Sequence, residues 1–300
     1  VAPPHAGERM VLPAPAAQRK AEQHLEDLFE EEYEDREANA RVRLAKSFLL
    51  EAKTGKNPPA AEFVLLQEAR RLAMAAGNPT VADRAARALL SRFAEVSPDL
   101  REETLRRALR NVESAEGARS AVRVYQDLSA EYERKEAYDK AIDASVAAGR
   151  LARKLKHGLL VDLLADRVKA LRRLEREYAK VCRARETLER NPQDPAANTV
   201  VAAFYCYKRR DWKTGLRFLA KGTDETLQTL ASLDLKNPTL DKVIRMLADA
   251  WWYHAQSVRD EEKRAAILGR AAHWYEKILE EAEGLEKIGR ASCRERVCHR

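Results

Sequence analysis

The stretch 122–155, VRVYQDLSAEYERKEAYDKAIDASVAAGRLARKL, decides how the rest of the chain is read. Its first part spaces Tyr125, Leu128, Ser129 and Tyr132 three and four apart, so the four share one face of a helix. After the polar break around Lys135 and Glu136, Ala141 and Ala148 fall where a second helix must approach the first. Small side chains suit those positions because they let two helix backbones come close. The expected unit is a helical hairpin, and a hairpin of this size buries its apolar face only by stacking on a neighbour.

The second-helix signature recurs along the chain. An aromatic residue is followed three positions later by a small or aliphatic residue and then an aliphatic one at Tyr138-Ala141-Ile142, Trp212-Gly215-Leu216 and Tyr275-Ile278-Leu279. Segment 196–222 is a weaker copy of the hairpin, carrying Ala202, Ala203, Cys206, Gly215 and Leu219. These residues resemble tetratricopeptide-type repeats. The resemblance is to a degenerate array: Ser145 stands where a large aromatic is usual, Arg153 where a terminal Pro is usual, and the connection from Val258 to Tyr275 is too long. The expected fold is all-α, a degenerate tetratricopeptide-like helical-hairpin solenoid whose concave face binds a partner.

Composition agrees with thin helical stacking. The 300 residues are 45% hydrophobic and 34% charged, with mean hydropathy −0.57, and helix formers dominate over Gly and aromatics. No stretch approaches the ~20 apolar residues of a membrane helix. A polar residue before Pro at Asn57-Pro58, Asn78-Pro79, Ser97-Pro98, Asp194-Pro195 and Asn237-Pro238 reads as an N-cap with Pro in the first helical position. Helices are expected at about 16–35, 39–54, 58–76, 79–94, 98–114, 117–134, 137–156 and 159–190, then 195–209, 212–221, 224–234 and 238–283 with a break near Asp260. In the last, Leu240, Val243, Ile244, Leu247, Ala248, Trp251, Ala255 and Val258 draw one apolar stripe.

The ends read differently. Residues 1–15, with Pro3, Pro4, Pro13 and Pro15, are expected to be a disordered leader. Residues 288–300 resemble the translation of a sequencing adapter and are set aside as a non-native tail. That tail holds four arginines against Glu295, so without it the net charge falls from +7 to +4. It also holds Cys293 and Cys298; Cys182 and Cys206 remain and are expected to be buried small hydrophobes. The domain reading is therefore a leader at 1–15, an N-terminal helical array at 16–190, a C-terminal tetratricopeptide-like region at 191–287 and the tail at 288–300.

A narrower likeness lies in Asn191-Pro192-Gln193-Asp194-Pro195-Ala196-Ala197-Asn198, in Asp211-Trp212 with Leu219-Ala220-Lys221-Gly222, in Asp249-Ala250-Trp251-Trp252, and in Trp274-Tyr275 within 271–277. Phe63-Val64-Leu65-Leu66 with Glu68-Ala69-Arg70 extends it towards the N-terminus. Together they resemble a family of uncharacterised planctomycete proteins with tetratricopeptide-like helical repeats, over roughly residues 16–286. The resemblance implies an exported bacterial cell-envelope protein in which the helical region presents a variable C-terminal domain, here truncated. It supplies no catalytic residues. A cytoplasmic location stays open as the alternative.

Four groups of residues invite a functional reading. Trp251, Trp252 and Trp274 could form an aromatic sugar-binding platform, although their helical spacing with Leu247, Ala255 and Tyr275 favours core packing. His254 and His273 could approach as metal ligands, but nothing joins them at ligand spacing. Glu26, Asp27, Glu30, Glu31, Glu32, Glu34 and Asp35 read as the solvated side of a helix whose other face is Ala21, Leu25, Leu28, Phe29 and Tyr33. In 150–190 the cations outnumber the acids, yet Glu175, Glu177, Glu186 and Glu189 interleave at salt-bridge spacing and only Tyr178 offers stacking, which argues against nucleic acid. The sequence thus assigns no catalytic, cofactor-binding or metal residue and expects a non-catalytic scaffold whose partner is a protein or its own C-terminal domain. The alternative is a non-catalytic region of a larger enzyme or carbohydrate-binding protein.

Overall fold

A computed structural model describes residues 9–280, and among them the regular structure is helical, with one isolated bridge between Met10 and Phe93. The fold is all-α and built of helical hairpins. Contacts divide the chain into two compact units at Leu171/Arg172. That division lies inside a helix, not at Asn191 where the sequence places it. The tail at 288–300, with Cys293 and Cys298, lies outside the described residues.

The first unit runs α1 (Pro15–Leu28), α2 (Glu30–Glu34), α3 (Ala38–Ala52), α4 (Pro59–Ala75), α5 (Pro79–Arg92), α6 (Leu100–Ala108), a 3-10 turn (Leu109–Asn111), α7 (Ala115–Arg134), α8 (Tyr138–Lys154) and the start of α9 (Gly158–Arg190). Helix α4 packs against α1, α3, α5 and α6, so its run Phe63-Val64-Leu65-Leu66 is buried at all four positions. Phe63 meets Phe93 edge-on at 5.0 Å, and Phe29 meets Phe48 in the same way. The α7–α8 hairpin is held by its small residues: Ala141 and Ala148 are fully buried, and Ser129 Oγ donates to the Ala141 carbonyl while contacting Ser145 Oγ at 2.8 Å. Ser145 thus joins the two helices through a hydroxyl contact with Ser129.

Part of the leader is ordered. The Met10 amide donates to the Arg92 carbonyl at 2.7 Å, the Ala94 amide donates to the Met10 carbonyl, and Met10 and Leu12 pack on the first core. Pairing with the extended backbone at Phe93 supplies order that periodicity cannot signal, so the expectation of a leader without structure is corrected for 9–14.

The second unit follows from the rest of α9 through α10 (Pro195–Ala203), a π-helical turn (Phe204–Lys208), α11 (Trp212–Leu219), α12 (Glu225–Leu235), α13 (Asp241–Ser257) and α14 (Glu261–Glu280). Ile244, Leu247, Trp251, Ile267 and Trp274 form its centre. Leu240, expected on the buried stripe, is 70% exposed because α13 starts only at Asp241.

Two of the five Pro-marked caps act as read: Asn78 accepts from the Val81 amide and Asp194 from the Ala197 amide. Three do not. Asn57 Nδ2 donates back to the Glu51 carbonyl, Ser97 Oγ accepts from the Asp99 amide within a turn, and Asn237 adopts φ +46° after α12. Asn tolerates the left-handed conformation, so Asn237 ends one helix where it was expected to begin the next.

Candidate functional site

Within the first unit a groove of about 920 Å³ runs between α1 and the α3–α4 hairpin. Leu25, Phe48, Val64 and Leu65 are buried beneath it, while Leu28 and Leu50, 61% and 70% exposed, stand at its lips. Local sequence explains the gap. Ala17 and Ala21 on α1, and Ala60 and Ala61 at the start of α4, are too short to fill the space between their helices. The sequence places Leu28 with Leu25, Phe29 and Tyr33 on one buried face. The structure buries Leu25, half-buries Phe29 and Tyr33, and leaves Leu28 facing the groove. An apolar stripe wider than the seam it packs against was the only sequence signal for this site.

Charge is distributed unevenly around the groove. Lys20 and Glu51 line it directly. The carboxylates Glu26, Asp27, Glu30, Glu31, Glu32, Glu34 and Asp35 are exposed, as a solvated acidic face requires, and Arg43 and Lys46 are exposed on α3. Tyr33 ties α2 to α4, its hydroxyl donating to Glu68 Oε2 at 3.0 Å.

The tryptophans belong mainly to the second core. Trp251 and Trp274, 0% and 1% exposed, both donate Nε1–H to Asp234 Oδ2 at 2.9 Å. Arg270 adds Nε–H to Oδ2 at 2.8 Å and a second bond to Oδ1, so a fully buried carboxylate holds two indoles and one guanidinium. Trp212 packs edge-on against Trp251. The faces of Trp251 and Trp274 are therefore spent on packing. Trp252 packs against the edge of this core, only half-buried, and lies edge-on to exposed Tyr253, so of the three it alone is not enclosed.

His254 is half-buried with an unpartnered Nε2, and His273 abuts Trp274. Burial lowers both imidazole pKa values from the ordinary 6.5. Among the described residues no group of three or more His, Cys, Asp or Glu side chains is arranged to hold a metal ion. Cys206 is buried, and burial pushes its thiol pKa up, whereas Cys182 is exposed at the surface of α9, contrary to expectation.

In the basic stretch Lys180 pairs with Glu177, as its spacing suggests, while Lys169 pairs with Asp166 and Arg167 with Glu133 of α7. Arg185 donates to the hydroxyls of Tyr178 and Tyr205. Arg172, Arg173 and Arg176 are exposed. No described helix is long and apolar enough to cross a membrane.

No protein-family model matches this chain, and neither a curated protein nor a solved structure matches it.

Proposed function

We propose that the chain is a non-catalytic helical-repeat scaffold for protein–protein contact, and that the groove between α1 and the α3–α4 hairpin takes an amphipathic helix of a protein partner. One observation carries this reading: two leucines stand largely exposed at the lips of a groove whose floor is apolar. Monomeric surfaces rarely keep such a concave apolar strip uncovered, and a helix laid in a groove is a recurrent solution. The flanking charges define the occupant further. The charged residues lining it are Lys20 on α1 and Glu51 on α3, so a helix with acidic residues on the flank facing Lys20 and basic residues on the flank facing Glu51 complements both walls. The planctomycete likeness supports placing this scaffold in a bacterial cell envelope, where the helical region also presents a C-terminal domain.

The test uses a fluorescent synthetic helix with a leucine stripe and those two charged flanks, followed by anisotropy. Saturable binding is expected. Full burial of a Leu is worth ~1.5–3 kcal/mol, so Leu50→Glu should weaken binding by roughly tenfold or more. A scrambled peptide of the same composition binding equally well would defeat the reading.

A further inference from the structure

A second site lies wholly within the second unit. The π-helical turn Phe204–Lys208 carries one extra residue per turn, closed by the Arg209 amide donating to the Phe204 carbonyl at 3.0 Å. π-turns are rare and concentrate at functional sites. This one puts Phe204, Tyr207 and Lys208 on the wall of a pocket of about 290 Å³, completed by Val200 and Ala203, by Glu177 and Lys180 of α9, and by Asp260 and Lys263 at the start of α14.

Two donors there are unspent. Tyr207 is 6% exposed, and its hydroxyl has no hydrogen-bond partner. A buried O–H left without an acceptor is costly, and such groups are uncommon in folded proteins. Burial raises the phenol's pKa, so the group stays an O–H donor. Lys180 and Lys208 pair with Glu177 and Glu262. Lys263 has no ion-pair partner among the described residues; the residue is half-buried, and its ammonium lies over the Tyr207 ring, 5.1 Å from its centre. Its backbone amide, by contrast, is satisfied by Asp260 Oδ1 at 2.7 Å. His254, whose Nε2 is also buried and unpartnered, is electrostatically coupled to Lys263 and Asp224.

We infer that this pocket binds a small organic carboxylate, with its apolar body against Val200, Ala203 and Phe204 and its carboxylate taken by Lys263 and Tyr207. Both free groups donate, so an acceptor-only anion satisfies them and an amine does not. The apolar lining selects a ligand with a short hydrocarbon or aromatic body over a bare inorganic ion.

Calorimetric titration of the full chain with benzoate tests this, with benzylamine and benzyl alcohol as the cationic and neutral counterparts. Benzoate should bind saturably, and the other two at least tenfold more weakly. Lys263→Met should cost tenfold or more in benzoate affinity. Tyr207→Phe keeps the ring and its packing while removing the orphaned hydroxyl, so the folded state should be as stable as wild type or more so, and benzoate affinity should still fall severalfold. A merely structural tyrosine would not show that split. Absent benzoate saturation, equal binding of benzylamine, or undiminished affinity in both variants would each overturn the inference.

Discussion

Asp234 is the residue on which the second core turns. Its carboxylate is fully buried and is matched by two indole N–H groups and a bidentate Arg270, which also lies 5.7 Å and 5.3 Å from the ring centres of Trp212 and Trp274. Removing one member of a buried charge pair leaves the other unpaired in a poor dielectric, at a cost of ~3–5 kcal/mol. Asp234→Ala should therefore lower the unfolding free energy by about that much in urea titrations. A loss comparable to that of a surface ion pair would show that Arg270 finds water on its own. Trp251→Ala should cost ~3–5 kcal/mol, and Trp252→Ala clearly less, because only the first side chain is enclosed. The sequence could not rank these neighbours: helical spacing puts both near the stripe, and the choice depends on where Asp234, 17 residues earlier, meets the indole of Trp251. The histidines give a pH signature. With folded pKa values depressed below 6.5, both are neutral in either state above that value, so they contribute no pH slope there. As pH falls below 6.5 the unfolded chain binds protons that the folded chain resists, and stability drops. The thermal midpoint should decline between pH 7 and 5, and His254→Gln with His273→Gln should flatten that decline. An equally steep decline in the double variant would assign it to carboxylates instead.

At the scale of elements, the pattern of apolar residues located nearly every helix, because burial of one face imposes a 3.6-residue period on sequence and structure alike. The ends were less legible. Asn57 and Asn237 each sit between two helices and can serve either, and in the structure both close the preceding one. The π-turn was invisible, since inserting one residue into a helix alters register without altering composition. Its partner α11 comes so close that a Cβ on Gly215 would lie 2.3 Å from Cys206 Sγ and 3.0 Å from the Cys206 amide nitrogen. Sulfur yields a little, backbone does not. Gly215→Ala should therefore lower the midpoint by several degrees in a thermal melt, despite the better helix propensity of Ala. A raised midpoint would mean that the α10–α11 hairpin has slack.

Over the whole molecule the all-α class was readable from composition and period, whereas the groove was not. Sequence identifies which residues are apolar; which apolar faces remain uncovered depends on how α1 settles on α3 and α4, and the alanines at 17, 21, 60 and 61 have the same appearance in a tight seam and in a gap. Far-ultraviolet circular dichroism should show a helix-dominated spectrum, and a strong strand signature would contradict the architecture. A helix received by the groove must shield the helices that form its walls. Hydrogen–deuterium exchange of the full chain, with and without a saturating leucine-striped peptide, tests it most directly. Slowed exchange is expected in α1 and in the facing parts of α3 and α4, around residues 17–28 and 47–65, with the second unit unchanged. Protection confined to other helices, or no change in the groove at peptide saturation, would contradict it.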